Sequence, residues 1–229
     1  MSGVQTLQSS VPIRGAADLQ VRALRDRQQY DDPLGAAEAL GISPAAWPLF
    51  GLVWPSGLQL ADRIAQRVLK PGERILEIGC GLGLASLVGH RRGACMTASD
   101  IHPLAGPFLR ENLRLNALAP MPYHHGPWTG SASGRPAEEA ACGSERYDLL
   151  IGSDLLYERD EAGWLAAFIG RHAAEQAEIW IVDPDRGNRS AFHRRMADLG
   201  YGREELRLDA AEQDERAAYK GRLITYRRA

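Results

Sequence analysis

The run Glu77-Ile78-Gly79-Cys80-Gly81-Leu82-Gly83 follows the apolar residues Ile75 and Leu76 and sets bare backbone at every second position. A strand that ends in such a turn, with a helix opening behind it, lets a ligand come close to the main chain and meet free N–H groups. Asp100 closes a second apolar stretch seventeen positions past Gly83, where a carboxylate can take ribose hydroxyls. Strand, glycine turn and acid together describe a site for a nucleoside-bearing cofactor.

Two cofactors compete for that site, a nicotinamide dinucleotide and S-adenosylmethionine (SAM). The dinucleotide turn needs glycines at its first, third and sixth positions. Counted from Gly79 the sixth position is Leu84, and counted from Gly81 it is Ser86. A carboxylate at Glu77 would repel a pyrophosphate but suits a ligand carrying an ammonium and a sulfonium. No Tyr-x-x-x-Lys pair follows Asp100 to serve hydride transfer. The bland alternative is a tight strand–helix turn that holds no ligand.

Further residues gather at the ends of later apolar stretches. Ser153, Asp154 and Tyr157 follow Tyr147–Gly152, at the carboxyl end of a buried strand, where open α/β sheets bind ligands. Asp154, Glu158, Asp160 and Glu161 are close enough to draw a cationic amine. Alternatively, Asp160 caps the next helix while Glu158 and Glu161 are merely solvated. Asp183-Pro184-Asp185-Arg186-Gly187 closes another strand and faces the same cleft, with substrate contact and turn formation both open. In Trp54-Pro55-Ser56-Gly57, Ser56 reads as a helix cap and Trp54 as an apolar plug. His102, His124 and His125 have no metal spacing with Cys or acid partners, so no metal is expected.

These residues must be positioned by alternating elements. Strands are predicted at Arg74–Ile78, Cys95–Ser99, Pro122–His125, Tyr147–Gly152 and Glu178–Val182. Helices are predicted at Leu58–Leu69, Leu84–Arg92, Leu104–Leu118, Glu161–Ala173 and Arg189–Leu199, the first with an apolar face at Leu60, Ala61, Ile64, Ala65 and Val68. Alternation of this kind calls for a parallel sheet covered on both faces. Glu204–Leu208 and Arg222–Tyr226 then suggest an antiparallel edge hairpin. The charged stretch from Ala17 to Asp32 reads as a helix ended by Pro33, and Ala36–Leu40 as a helical turn stopped by Gly41. Thr129–Glu145, rich in Gly, Ser, Ala and Pro, reads as a loop.

Glu77–Gly83, Ser99-Asp100-Ile101-His102-Pro103-Leu104 and Asp148–Tyr157 together resemble the class I, seven-strand, SAM-dependent methyltransferases. Trp54–Gly57 and the Asp-x-x-Tyr at Asp154–Tyr157 are similar to the protein-lysine methyltransferase branch, which includes enzymes acting on electron-transfer flavoprotein. The likeness runs from about Phe50 to Tyr201. It implies a Rossmann-like α/β fold, a mostly parallel seven-stranded sheet with helices on both faces and an antiparallel C-terminal edge hairpin. Residues 47–229 would form the methyltransferase domain, and residues 1–46 an extension that can fold over the cleft as a lid.

The resemblance also implies roles. Gly79, Gly81 and Gly83 would border the methionine part of SAM, with Glu77 near its amino group and Asp100 on the ribose. Trp54 would wall the cofactor, Trp128 would lie beside the adenine, and Ser153 would complete the pocket. Asp154 and Tyr157 would be catalytic, transferring a methyl group to a nitrogen, foremost a protein lysine ε-amine, with S-adenosylhomocysteine as the spent product. Ser153-Asp154-Leu155-Leu156-Tyr157 departs from the Asn/Asp-Pro-Pro-Tyr of enzymes that methylate amide or nucleobase nitrogens. The turn at Asp183–Gly187 departs from the branch's Asp-Pro-Gly-Arg by carrying Asp185. A small amine or a nucleic acid stays open as acceptor, and so does a non-catalytic SAM-binding module.

Composition bounds the rest. The chain of 229 residues carries a net charge of −2, against a broad basic surface for nucleic acid. No apolar run approaches the roughly 18 residues of a membrane span. Three cysteines without paired spacing point to a reducing compartment, and the default expectation is cytoplasmic.

Overall fold

Residues 3–126, 128, 146–157, 160–212 and 216–228 are described by a computed structural model. It begins with β1 (Thr6–Val11) and β2 (Leu19–Leu24), an antiparallel hairpin where a helix over Ala17–Asp32 is expected. Leu19, Val21 and Ala23 are buried while Gln20 and Arg22 are only half-buried, which is the period of a strand. The charged residues Arg25 to Arg27, which favour a helix reading, lie past the strand's end. A short 3-10 turn at Glu38–Leu40 ends on left-handed Gly41, as the breaker implies.

From there helices and strands alternate: α1 (Pro55–Gln66), β3 (Arg74–Ile78), α2 (Leu84–Arg91), β4 (Cys95–Asp100), α3 (Ala105–Leu115), β5 (Tyr123–His125) and β6 (Tyr147–Ser153). They are followed by α4 (Trp164–His172), β7 (Ala173–Asp183), α5 (Arg189–Asp198), β8 (Tyr201–Arg207) and β9 (Arg222–Arg228). Among the described residues one Rossmann-like sheet has the order β5-β4-β3-β6-β7-β9-β8. Its strands run parallel up to β7, and β9 is antiparallel to both β7 and β8. The edge hairpin is therefore present. No described helix is long and apolar enough to cross a membrane.

Successive residues of the central strands serve opposite faces. Ile75, Leu149 and Ile151 pack with Leu60, Ile64, Leu87 and Leu109 of α1, α2 and α3. Leu76, Ile78 and Leu150 pack with Leu165, Ile169, Phe192 and Met196 of α4 and α5. Both faces being covered explains why these strands read as near-continuous apolar runs. The N-terminal hairpin adds to the first face. Asn112 of α3 and Asn116 at its C-cap accept the β2 backbone N–H groups of Arg22 and Gln20 at 2.8 and 3.0 Å. Asn112 also donates to Leu82 O in the glycine turn, tying the extension to the site.

Several local expectations are corrected. Ser56 makes no capping bond; Trp54 occupies the N-cap without one, and Pro55 starts the helix with its preset φ. Val68 lies beyond the helix and is exposed, so it does not join the apolar face. Cys80 is a buried free thiol, whereas Cys95 is disulfide-bonded, against the expectation of reduced cysteines. The loop expected at Thr129–Glu145, together with Cys142 and Glu158, lies outside the described residues.

Candidate active site

The chain builds β4 and β5 on one side of β3, then crosses to build β6 and β7 on the other. At that reversal the connections leave β3 and β6 in opposite directions and open a crevice above their carboxyl ends. A cavity of about 540 Å³ fills the crevice, within the range of small-molecule sites. It brings together Trp54, Glu77, Gly79, Gly81, Asp100, Trp128, Ser153, Asp154 and Tyr157, drawn from positions a hundred residues apart.

Gly83 is the exception. It is the left-handed N-cap of α2 (φ +74°), and a Cβ there would lie 2.5 Å from Leu109, so it serves helix packing and not the wall. Gly81 does line the cavity. Its φ is +52°, and a Cβ would stand 2.8 Å from the backbone oxygen of Phe50. Gly81→Ala is thus expected to cost on the order of 1–3 kcal/mol, the range for a strained backbone conformation. A thermal melt showing wild-type stability would contradict that.

Two buried carboxylates face the same end of the cavity. Asp100 accepts Gly81 N–H through one oxygen and His102 N–H through the other, each at 2.8 Å. Each oxygen keeps a free lone pair, enough for two vicinal hydroxyls. Burial raises its proton affinity, and the two backbone donors oppose that. Glu77 accepts both the backbone N–H (2.8 Å) and the hydroxyl of Ser86, in the first turn of α2. Burial pushes its carboxyl up to about 7. A cationic ligand group nearby would favour the ionised form. Protonated below about pH 7, Glu77 loses its attraction for a cation. Affinity for a cationic cofactor should therefore fall as pH drops through that value, with proton release on binding near neutrality. Calorimetry in buffers of different ionisation enthalpy measures this, and binding without net proton exchange would refute it.

Asp154, which lines the same cavity, leaves β6 with φ +55°, a conformation a non-glycine residue rarely adopts. Its carboxyl accepts from Arg186 Nη2 at 3.0 Å, and burial raises its proton affinity. Tyr157 and Trp164 are on the cavity wall as well, both over 40 % exposed. Asp160 does not join them: it accepts from the N–H groups of Gly163, Trp164 and Leu165 and caps α4. Asp185 also points elsewhere. It takes the left-handed conformation (φ +64°) that glycine would favour, and Arg189, Arg207 and Arg222 hold its carboxylate at about pKa 2.

The third wall comes from the extension, none of whose individual residues was singled out for the site in the sequence. Leu40, Gly41, Ile42, Ser43 and Ala46 of the extension line the cavity, beside Phe50 and His102. His102 stacks on Phe50 (3.8 Å between centroids, 11° between planes), accepts Leu104 N–H through Nδ1 and stays neutral, burial pushing it down to about 4. Its position two residues after Asp100 was the only sequence signal. Trp54 is anchored by its indole N–H to Leu49 O at 2.8 Å. Among the described residues no cluster of His, Cys, Asp and Glu is arranged to hold a metal ion.

Comparison with known proteins follows this geometry. Residues 49–197 match the family model described as "Lysine methyltransferase". The electron transfer flavoprotein beta subunit lysine methyltransferase of Xenopus laevis is 30 % identical over 158 residues, 65 % of this chain and 58 % of that protein. Its Danio rerio counterpart is 28 % identical over 154 residues, covering 63 % and 54 %. The chain thus spans little more than half the length of these relatives. Among solved structures, the ribosomal protein L11 methylase of Lactobacillus delbrueckii subsp. bulgaricus aligns with a TM-score of 0.51 at 20 % identity, over 75 % of this chain and 78 % of that one. Magnesium protoporphyrin IX methyltransferase from Synechocystis PCC 6803, with bound SAM, aligns at 0.51 and 17 %, over 69 % and 71 %.

Proposed function

Since the chain belongs to the lysine methyltransferase family, whose members are SAM-dependent methyltransferases, we propose that it methylates the ε-amine of a lysine on a protein. The observation that carries this is Asp154, a partly buried carboxylate that lines the same cavity as Glu77, Asp100 and the exposed aromatic rings of Tyr157 and Trp164. SAM, the cofactor, supplies a methyl group already activated by a sulfonium. The cavity fits it: Asp100 has lone pairs for ribose hydroxyls, Glu77 a carboxylate for an ammonium, and Trp54 and Trp128 apolar faces for the rest.

The chain's own residues then have three tasks. Glu77, Gly79, Gly81, Asp100, Trp54, Trp128 and Ser153 bind and orient the cofactor. Residues 40–46 act as a lid wall that keeps water out. Asp154, with Tyr157, receives the acceptor. A lysine amine has a reference pKa of about 10.4 and must lose a proton before it attacks. The Asp154 carboxylate attracts the ammonium, orients it and accepts the proton at an oxygen whose basicity burial has raised. Alignment of this kind supplies part of the roughly 7–11 kcal/mol available from proximity. Tyr157 and Trp164 suit the aliphatic stem and the cationic head of a lysine side chain.

The relatives' names suggest the electron transfer flavoprotein beta subunit as a first substrate to try. Tritiated SAM with that subunit, and separately with cell lysate, is expected to label protein. Label confined to small molecules or nucleic acid would reject a protein acceptor.

A further inference from the structure

Arg186 and Asp154 both line the cavity, and two neighbouring turns fix them against each other. Asp154 leaves β6 and donates its N–H to Val182 O at 3.0 Å, which ties it to the end of β7. Arg186 follows that same strand end. Its N–H donates to the Asp183 carboxyl at 2.9 Å, and its carbonyl accepts from Arg189 Nε at 3.2 Å. With its main chain engaged on both sides, Arg186 reaches across to the Asp154 carboxyl through Nη2 at 3.0 Å. Arg189, Arg207 and Arg222 are taken up by Asp185, so among the described residues Arg186 is the arginine that meets Asp154.

This pairing changes what the carboxylate does to an amine. A lone carboxylate attracts an ammonium but also stabilises its charged form, which opposes the proton loss that attack requires. With Arg186 beside it the carboxylate is already balanced, and an entering ammonium brings surplus positive charge. An amine bonded to the same oxygen at about 2.8 Å would stand within roughly 6 Å of Arg186 Nη2, where a like charge disfavours the charged form. The Asp154 side chain is 13 % exposed and that of Arg186 38 %, so water screens the guanidinium in part and the effect belongs at the lower end of its range.

We propose that Arg186 promotes proton loss from the acceptor amine by its charge, so that Asp154 orients the amine without holding it as an ammonium. The proposal rests on the reading of Asp154 as the group that receives the acceptor. The N–H bond breaks with its electron pair left on nitrogen for attack on the methyl carbon, and the proton passes by way of Asp154 to solvent. The other charged or titratable groups described around the pair are Asp183 and Arg189 of the β7–α5 turn, Tyr219 from the segment before β9 and Tyr157 on the cavity wall. Glu77, Asp100 and His102 line the rest of the cavity. Arg189 is balanced by Asp183 and Asp185, and burial pushes Tyr219 up to about 12, so neither supplies the charge that Arg186 does.

The test follows the pH dependence of protein labelling by the full chain, with lysate protein as acceptor and tritiated SAM at saturation, in wild type, Arg186→Gln and Arg186→Lys. Removing the cation favours the ammonium, so the pH at which the rate reaches half its plateau should rise by about one unit in Arg186→Gln. At neutral pH that variant should be about tenfold slower, recovering toward the wild-type rate as the medium approaches the amine's reference pKa of about 10.4. Arg186→Lys keeps the charge and should keep the wild-type midpoint. Arg186→Met takes the place of Arg186→Gln if a thermal melt or SAM affinity shows that the latter does not fold. A midpoint that stays put in the folded variant, with the rate either unchanged or lowered equally at every pH, overturns the proposal and leaves Asp154 in its role. An equal shift in Arg186→Lys assigns the effect to shape and overturns it too. Turnover retained in Asp154→Asn, or lysate protein left unlabelled by wild type, instead removes the acceptor reading, and the role of Arg186 with it.

Discussion

Asp154→Asn is expected to lower methyl transfer by two to four orders of magnitude, the usual range for removing a positioned proton acceptor. Affinity for SAM should stay within about threefold of wild type if, as proposed, this carboxyl receives the acceptor, since a single weakened contact costs about 1 kcal/mol or less. Asparagine keeps the shape and one acceptor oxygen but cannot hold a proton or balance Arg186, its partner at 3.0 Å. The variant thereby separates charge from volume. Single-turnover transfer from tritiated SAM, with calorimetry on the same preparation, measures both quantities. A variant that transfers methyl groups at near wild-type rate would show that Asp154 is a structural residue at a strained turn.

The second large effect is at Asp100. Asp100→Ala should weaken SAM binding by at least about a hundredfold, since two hydrogen bonds to a charged group are lost at roughly 1.5–3 kcal/mol each. The same change leaves the N–H groups of Gly81 and His102 without their acceptor, so part of the loss is loosening of the turn. A SAM analogue lacking both ribose hydroxyls separates the two effects. It should bind wild type weakly and lose little more in the variant. An analogue that loses as much affinity as SAM does on going to Asp100→Ala would mean the carboxylate acts only on the protein backbone.

The parts of this architecture that were legible beforehand share a physical cause. β3 begins and ends where predicted, at Arg74 and Ile78, because its apolar residues Ile75, Leu76 and Ile78 serve both faces of the sheet and Gly79 follows directly. That Glu77 and Asp100 line one cavity was legible for a similar reason: a carboxylate at the mouth of an apolar strand has few explanations. The N-terminal hairpin was not legible, because six-residue strands give a short alternating signal, and the nearby arginines and aspartates carry more weight in any helical window. Nor, although the extension was expected over the cleft, was it legible which of its residues, from Leu40 to Ala46, would line the cavity. Ser56 misled because serine beside proline at a helix start is a strong capping signal. Its actual partner, Tyr219, is 163 positions away. Asp160, for which an acid cluster and a helix cap were both open, is spent on the first turn of α4.

The C-terminal turn follows the same logic in miniature. Asp185 stands where a glycine would relieve a left-handed backbone, and aspartate is among the side chains that tolerate this conformation. Three arginines from α5, β8 and β9 take up its charge, which leaves Arg186 free to face Asp154. A departure from the glycine-containing turn is thus compensated locally.

Lysine methylation from this cleft is tested most directly by hydrolysing protein that the enzyme has labelled with methyl-tritiated SAM and separating the amino acids. The account predicts that the radioactivity co-elutes with methylated lysine, and that it disappears when Asp154→Asn replaces the wild type. Radioactivity on arginine, histidine or a carboxyl side chain, or methyllysine that persists undiminished in the variant, would contradict it.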